Sequence, residues 1–133
     1  MNTIEQIELN DQLWDNAIKS GNKTDMEKYC HIVIKLKKSI YPVLITVEHE
    51  RDYMGHETGK TYLLVDWSRI SGWYDSEIFH KVVGIRYEPN DKGKETGVNF
   101  SRGGGSAVLE FNTGAKDIVI KELQKAGYLV EMA

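Results

Sequence analysis

The chain is poor in the residues that would narrow its chemistry quickly. Cys30 is its only cysteine, so no disulfide can form within it. Cys30 precedes the apolar run His31–Leu36, where a buried structural thiol is expected rather than a reactive one. There are only two prolines, Pro42 and Pro89, and no proline-rich linker or low-complexity segment. Charge of one sign is also scarce, with 17 basic against 20 acidic residues and a net charge of −3. That balance lacks the basic surplus of a typical nucleic-acid binder and the dense acid of a DNA mimic. No apolar run approaches the roughly 20 residues of a membrane helix. The opening MNTIEQIELNDQLW has acids where a secretory signal needs a basic and then apolar stretch. The expected location is the cytoplasm, without membrane contact.

What is present is ordinary globular material. Apolar residues make up 41% and charged residues 28% of 133 positions, which suits a single domain over residues 1–133. Three tryptophans, seven tyrosines and three phenylalanines supply bulk for a core.

Helical patterning dominates the first thirty residues. Thr3 and Gln6 have capping-box spacing, and Leu9, Leu13, Trp14, Ala17 and Ile18 share one helical face. The alternative is a strand over Ile4–Leu9 with the helix starting at Asn10. Gly21 supplies a stop, and Thr24 with Glu27 suggests a short second helix over about Asp25–Tyr29. The pattern then turns to period two. Strands are expected at Ile32–Leu36, Val43–Val47, Thr61–Trp67 and Phe79–Tyr87, with a long polar hairpin loop over Glu48–Lys60. Glu88–Gly97 is a solvated turn. Val98 and Phe100 pair with Ala107, Leu109 and Phe111 across the turn SRGGGS. Thr113 caps a last helix carrying Ala115, Ile118, Val119, Leu123 and Ala126 on one face, and Gly127 ends it before a short strand at Tyr128–Glu131. The class is therefore α+β: an N-terminal helix or helices, a central antiparallel sheet of about six strands, and a C-terminal helix packed on the sheet.

Three clusters invite a chemical reading. The loop HERDYMGHE holds His49, Glu50, Asp52, His56 and Glu57, all competent metal ligands. Its histidines are seven apart, against four for a helical zinc site, so a solvated hairpin tip is expected and no metal is assigned. His80 with Asp75 or Glu77 could form a base–acid pair, but no serine or cysteine nucleophile accompanies it in sequence, and a surface histidine at a strand start is expected. The second cluster is Ser101–Ser106. Gly103, Gly104 and Gly105 can aim backbone N–H groups at an anion beside the fork of Arg102. It is not a Walker loop, since no lysine–serine pair and no helix follow. The third is DWSRISGWYDSE, where Trp67, Arg69, Trp73 and Tyr74 crowd one connector. Stacking aromatic planes with a forked cation suit a protein hot spot or a nucleotide.

The expectation is a small non-enzymatic binding protein. It would act as an inhibitor, immunity or counter-defence factor on a protein partner or a phosphorylated, nucleotide-like small molecule, with a homo-oligomer allowed by open sheet edges. No catalytic residue or cofactor is assigned. The competing classes are a hydrolytic enzyme using His49, His56 or His80 with a carboxylate, and a structural subunit of a complex. Substituting Arg102→Ala separates the two kinds of ligand. Retention of a phosphorylated molecule, read by native mass spectrometry, is abolished, whereas a protein interface is only dented.

Overall fold

The computed structural model describes residues 1–84, 98–102 and 107–133. They form two compact units, Met1–Tyr41 and Pro42–Ala133.

The first unit is a helical hairpin of α1 (Thr3–Ser20) and α2 (Lys23–Ile40), which pack on each other. Asparagines set its boundaries. Asn2 Oδ1 accepts the Glu5 N–H at 2.8 Å, and Asn22 Oδ1 accepts the Asp25 N–H at 3.1 Å, so both caps lie one or two residues before the expected threonines. Gly21, at φ 72°, closes α1 with the bond from Asn22 N to Ala17 O, so Asn22 ends one helix and starts the next. The strand expected at Ile32–Leu36 lies inside α2. Met26, Tyr29, Val33, Leu36 and Ile40 recur at three- and four-residue spacing and are buried or half-buried, so the helical period overrides the short alternation. Nothing between Asn22 and Pro42 breaks a helix. Pro42 then forces Tyr41 into extended backbone at φ −108° and ψ 133°, and α2 stops.

The second unit contains β1 (Val43–Arg51), β2 (Glu57–Asp66), α3 (Ser76–Gly84), β3 (Val98–Arg102), β4 (Val108–Asn112), a helical turn at Thr113–Ala115, α4 (Lys116–Lys125) and β5 (Val130–Met132). The sheet has five strands in the order β3-β4-β2-β1-β5. It is mixed, not the antiparallel sheet of about six strands expected above, because β5 runs parallel to β1. The other pairs are antiparallel, including the β3–β4 pair expected across SRGGGS. The strand expected from Phe79 is α3, where Ile78 and Val82 are buried one helical turn apart. Its N-terminal signal is Asp75, whose Oδ1 accepts the Glu77 N–H at 2.9 Å. Of that expected strand, residues 85–87 lie outside the described residues, as does the turn expected at Glu88–Gly97.

β2 and β3 run the same way, as do β4 and β5, so each pair needs a crossover, and α3 and α4 supply them. One sheet face carries Val43, Ile45, Leu63, Val65, Leu109 and Phe111, all buried, with Ile45 opposite Val65 and Leu63 opposite Phe111. Ile78, Val82, Val119 and Leu123 of the two helices are buried as well, and α3 packs on α4. Thr113 does not cap α4; its hydroxyl bonds that of Thr61 at 2.5 Å. Gly127 does end the helix as expected, at φ 87°, with Tyr128 N bonded to Leu123 O at 3.0 Å.

Phe111 is fully buried in the centre of this face. Phe111→Ala is expected to cost about 3–5 kcal/mol in urea unfolding, whereas Leu64→Ala, half-buried on the opposite face, costs clearly less.

Candidate functional site

The strand directions bring the backbone of Arg102 and the Trp67–Asp75 connector to one end of the sheet. Asp66, the last residue of β2, lies opposite Leu44 of β1 and Val108 of β4, and Val108 lies opposite Arg102 of β3. The Trp67–Asp75 connector therefore leaves the same end at which β3 finishes. Arg102 is placed there by its backbone, while Gly103, Gly104 and Gly105 lie outside the described residues.

The connector is ordered by its own hydrogen bonds. Trp67 N donates to Ala107 O at 2.9 Å, which ties the connector to the start of β4. Ile70 N and Ser71 N both donate to Trp67 O, at 2.8 and 3.0 Å, and Ser68 N donates to Asp66 Oδ1 at 2.8 Å. Trp73 N donates to Ser71 Oγ at 3.3 Å. These bonds give the four predicted residues different fates. Trp67 is 1% exposed and belongs to the core, as does Ile70. Trp73 is 66% exposed, with its indole facing solvent. Tyr74 is half-buried against Phe79, with ring centroids 6.0 Å apart. Arg69 is exposed and pairs with Glu131 of β5 at 3.7 Å.

A second segment, outside the residues expected from the sequence, holds this connector in place. Tyr128 meets Trp67 edge to face, with centroids 6.5 Å apart and an interplanar angle of 81°. Its hydroxyl donates to Asp75 Oδ2 at 2.6 Å. Asp75 thus uses one oxygen to cap α3 and the other to hold Tyr128. Burial, then the Asp75 hydrogen bond and charge, push the Tyr128 phenol well above its ordinary value of 10.0. The Trp67 indole N–H opposes this to a lesser degree. Asp75 thus serves the fold, while His80 lies exposed on α3 against the Phe79 ring at 5.1 Å. The strand-start position expected for His80 is corrected to a helix surface.

The histidine-rich hairpin has a different form from the long loop expected. β1 and β2 continue to Arg51 and Glu57, so the turn is only residues 52–56. Asp52 Oδ1 accepts the N–H groups of Met54 and His56, both at 2.9 Å, and Arg51 donates to Gly55 O at 3.0 Å. His49 sits on β1 opposite Thr61, while His56 lies 3.9 Å from Asp52. Among the described residues no group of three or more His, Cys, Asp and Glu side chains is arranged to hold a metal. Nearby, the Tyr62 hydroxyl donates to Glu50, and that bond, with lesser contributions from desolvation and from the charges of Glu50 and Glu110, raises the Tyr62 pKa. The tip exposes Tyr53 almost completely, at 97%, and Met54 beside it, a feature the charge-rich sequence around them concealed.

In comparisons with known proteins, no family model, no curated protein and no solved structure matches this chain. The helices among the described residues include none long and apolar enough to cross a membrane.

The Tyr128–Asp75 bond sets an alkaline limit on this end of the sheet. The folded state holds the Tyr128 proton more tightly than the unfolded chain does. Its contribution is therefore fully present below pH 10.0 and is lost as pH rises from there towards the higher folded value. Tyr128→Phe is expected to cost about 1–2 kcal/mol near neutral pH. It should also flatten the fall in unfolding free energy above pH 10.0, measured by denaturant titration across that range.

Proposed function

We propose that this protein is a non-enzymatic binding protein that grips a protein partner with the sheet end built from the Trp67–Asp75 connector and the segment leading into β5. The observation that carries this reading is the exposed indole of Trp73 on a hydrogen-bonded connector. An exposed tryptophan on ordered backbone offers a large apolar area while little conformational entropy remains to be lost on binding. Arg69 adds a forked cation at the rim, since its surface pair with Glu131 is weak enough to exchange for a partner's carboxylate. Trp67 and Tyr128 serve as the support beneath, and α3 is fixed to the same support through Asp75. A role as inhibitor, immunity or counter-defence factor is the biological form such a module would take.

A second reading, a phosphorylated small molecule as ligand, rests on the placement of Arg102. Its backbone ends β3 at this same sheet end, two strands from the Trp67 connector. This reading takes Arg102 with Gly103–Gly105 as the anion site suggested by the sequence, of which the backbone of Arg102 alone lies among the described residues.

The two readings diverge in one experiment. Immobilised wild-type protein and the Trp73→Ala variant are used to capture proteins from the source cells, and any protein retained by wild type alone is purified and titrated by calorimetry. Because Trp73 is a surface residue, its replacement should leave the melting temperature nearly unchanged. Affinity should fall about 30-fold or more, the loss of a hot-spot residue. Equal binding by both proteins would remove Trp73 from the interface. A phosphorylated molecule retained in native mass spectra, with no protein captured, would favour the second reading.

A further inference from the structure

We propose that the β5 edge is a self-association surface, at which a second copy of this chain adds its own β5 antiparallel across a two-fold axis normal to the sheet. The backbone gives the register. β5 ends the sheet, and among the described residues no strand pairs with its outer side. Toward β1, Val43 N donates to Leu129 O at 2.8 Å and Ala133 N donates to Ile45 O at 2.9 Å, with Val43 opposite Val130 and Ile45 opposite Met132. In a parallel pair of this register, residues 129, 131 and 133 turn their N–H and C=O groups inward. Val130 and Met132 therefore turn theirs outward. A two-fold axis through Glu131 sets Val130 of one copy opposite Met132 of the other, and these pairs can exchange four backbone hydrogen bonds.

The side chains agree with that register. Val130 and Met132 lie on the same face as the buried Val43 and Ile45, so both hydrogen-bonded pairs are apolar on the core side of the sheet. Met132 is 45% exposed and neighbouring Leu129 48%, apolar area that pairing would cover. Glu131 meets its own copy at the axis, but Arg69 stands 3.7 Å from each carboxylate and offsets the like charges. The long outer side of β1 is a poorer match to itself. Two-fold pairing centred on His49 would set Glu48 against Glu50. Joining two β5 edges also uses up that edge in both copies, so the assembly closes at two. A three-residue strand buries far less than the about 1,200–2,000 Å² of stable complexes. The dimer is therefore expected to be weak and to form only as the concentration rises.

Sedimentation of the full chain from about 1 to 500 µM tests this proposal. Wild type should pass from monomer to dimer within that range. Met132→Pro removes an N–H that faces the second copy and leaves the bonds from β5 to β1 intact, so it should remain monomeric with an unchanged circular dichroism spectrum. Met132→Asp keeps every backbone donor and should also be monomeric, which guards against a proline effect on folding. For the register, Glu131→Cys in a Cys30→Ser background should form an intermolecular disulfide on mild oxidation, since residues facing each other at the axis form a close, non-hydrogen-bonded pair. Adding Met132→Pro should prevent that crosslink. A wild type that stays monomeric at 500 µM, a dimer indifferent to both Met132 variants, or failure of position 131 to crosslink would each overturn the proposal. The Met132 variants alter neither Trp73 nor the Arg69–Glu131 pair, so the sedimentation outcome is independent of partner binding there.

Discussion

Tyr128 joins three segments that are distant in the chain. Its ring meets Trp67, where β2 ends; its hydroxyl reaches Asp75, where α3 begins; and its backbone N–H completes the end of α4 at Leu123. The helix termination by Gly127 aims it there, and the chain then turns directly into β5. One residue therefore coordinates both crossover helices with the sheet end they flank. A phenol bonded to a carboxylate in a half-buried site is directional, whereas the apolar contacts around it fix distance more than orientation. That distinction matters for a connector proposed to present one exposed indole to a partner.

The parallel return of β5 has its own consequence. Because β5 lies beside β1 and follows β4 in sequence, α4 must pass over β2 and β1 to deliver it. The same passage places Glu131 beside Arg69 and leaves Leu129 and Met132 at the margin of the sheet. The surface proposed for a partner and the edge proposed for a second copy thus both arise from the path by which the chain closes its sheet. The hairpin tip at residues 52–56 belongs to the other end of β1 and β2, where Asp52 and Arg51 order the turn and the histidines are held apart from one another.

Much of the local structure is legible in the sequence because it rests on short-range chemistry. The stop at Gly21, the end of the last helix at Gly127, the hairpin around Gly55, the pairing of the β3 and β4 segments and the short strand near the C-terminus all follow from turn residues and period-two patterning. The failures are equally local. Residues 32–36 alternate over five positions, yet they are a window of a longer helical repeat that begins at Met26. At residues 76–84 a strand-like apolar content hid the capping role of Asp75 and the one-turn spacing of Ile78 and Val82. Asn2 and Asn22 take the caps although threonine–glutamine and threonine–glutamate pairs with capping-box spacing stand one or two residues later.

The sequence by itself determined the α+β class, most turn positions and the residue types available for binding, because backbone propensity and hydrophobic period are properties of neighbours. Only the tertiary structure decided that Trp67 is core while Trp73 faces solvent, that Asp75 binds Tyr128 as well as the start of α3, and that Arg69 meets Glu131. Those outcomes depend on strand order and on the parallel return of β5. Residues 53 to 62 positions apart are brought together there by crossover and pairing, which no local pattern encodes.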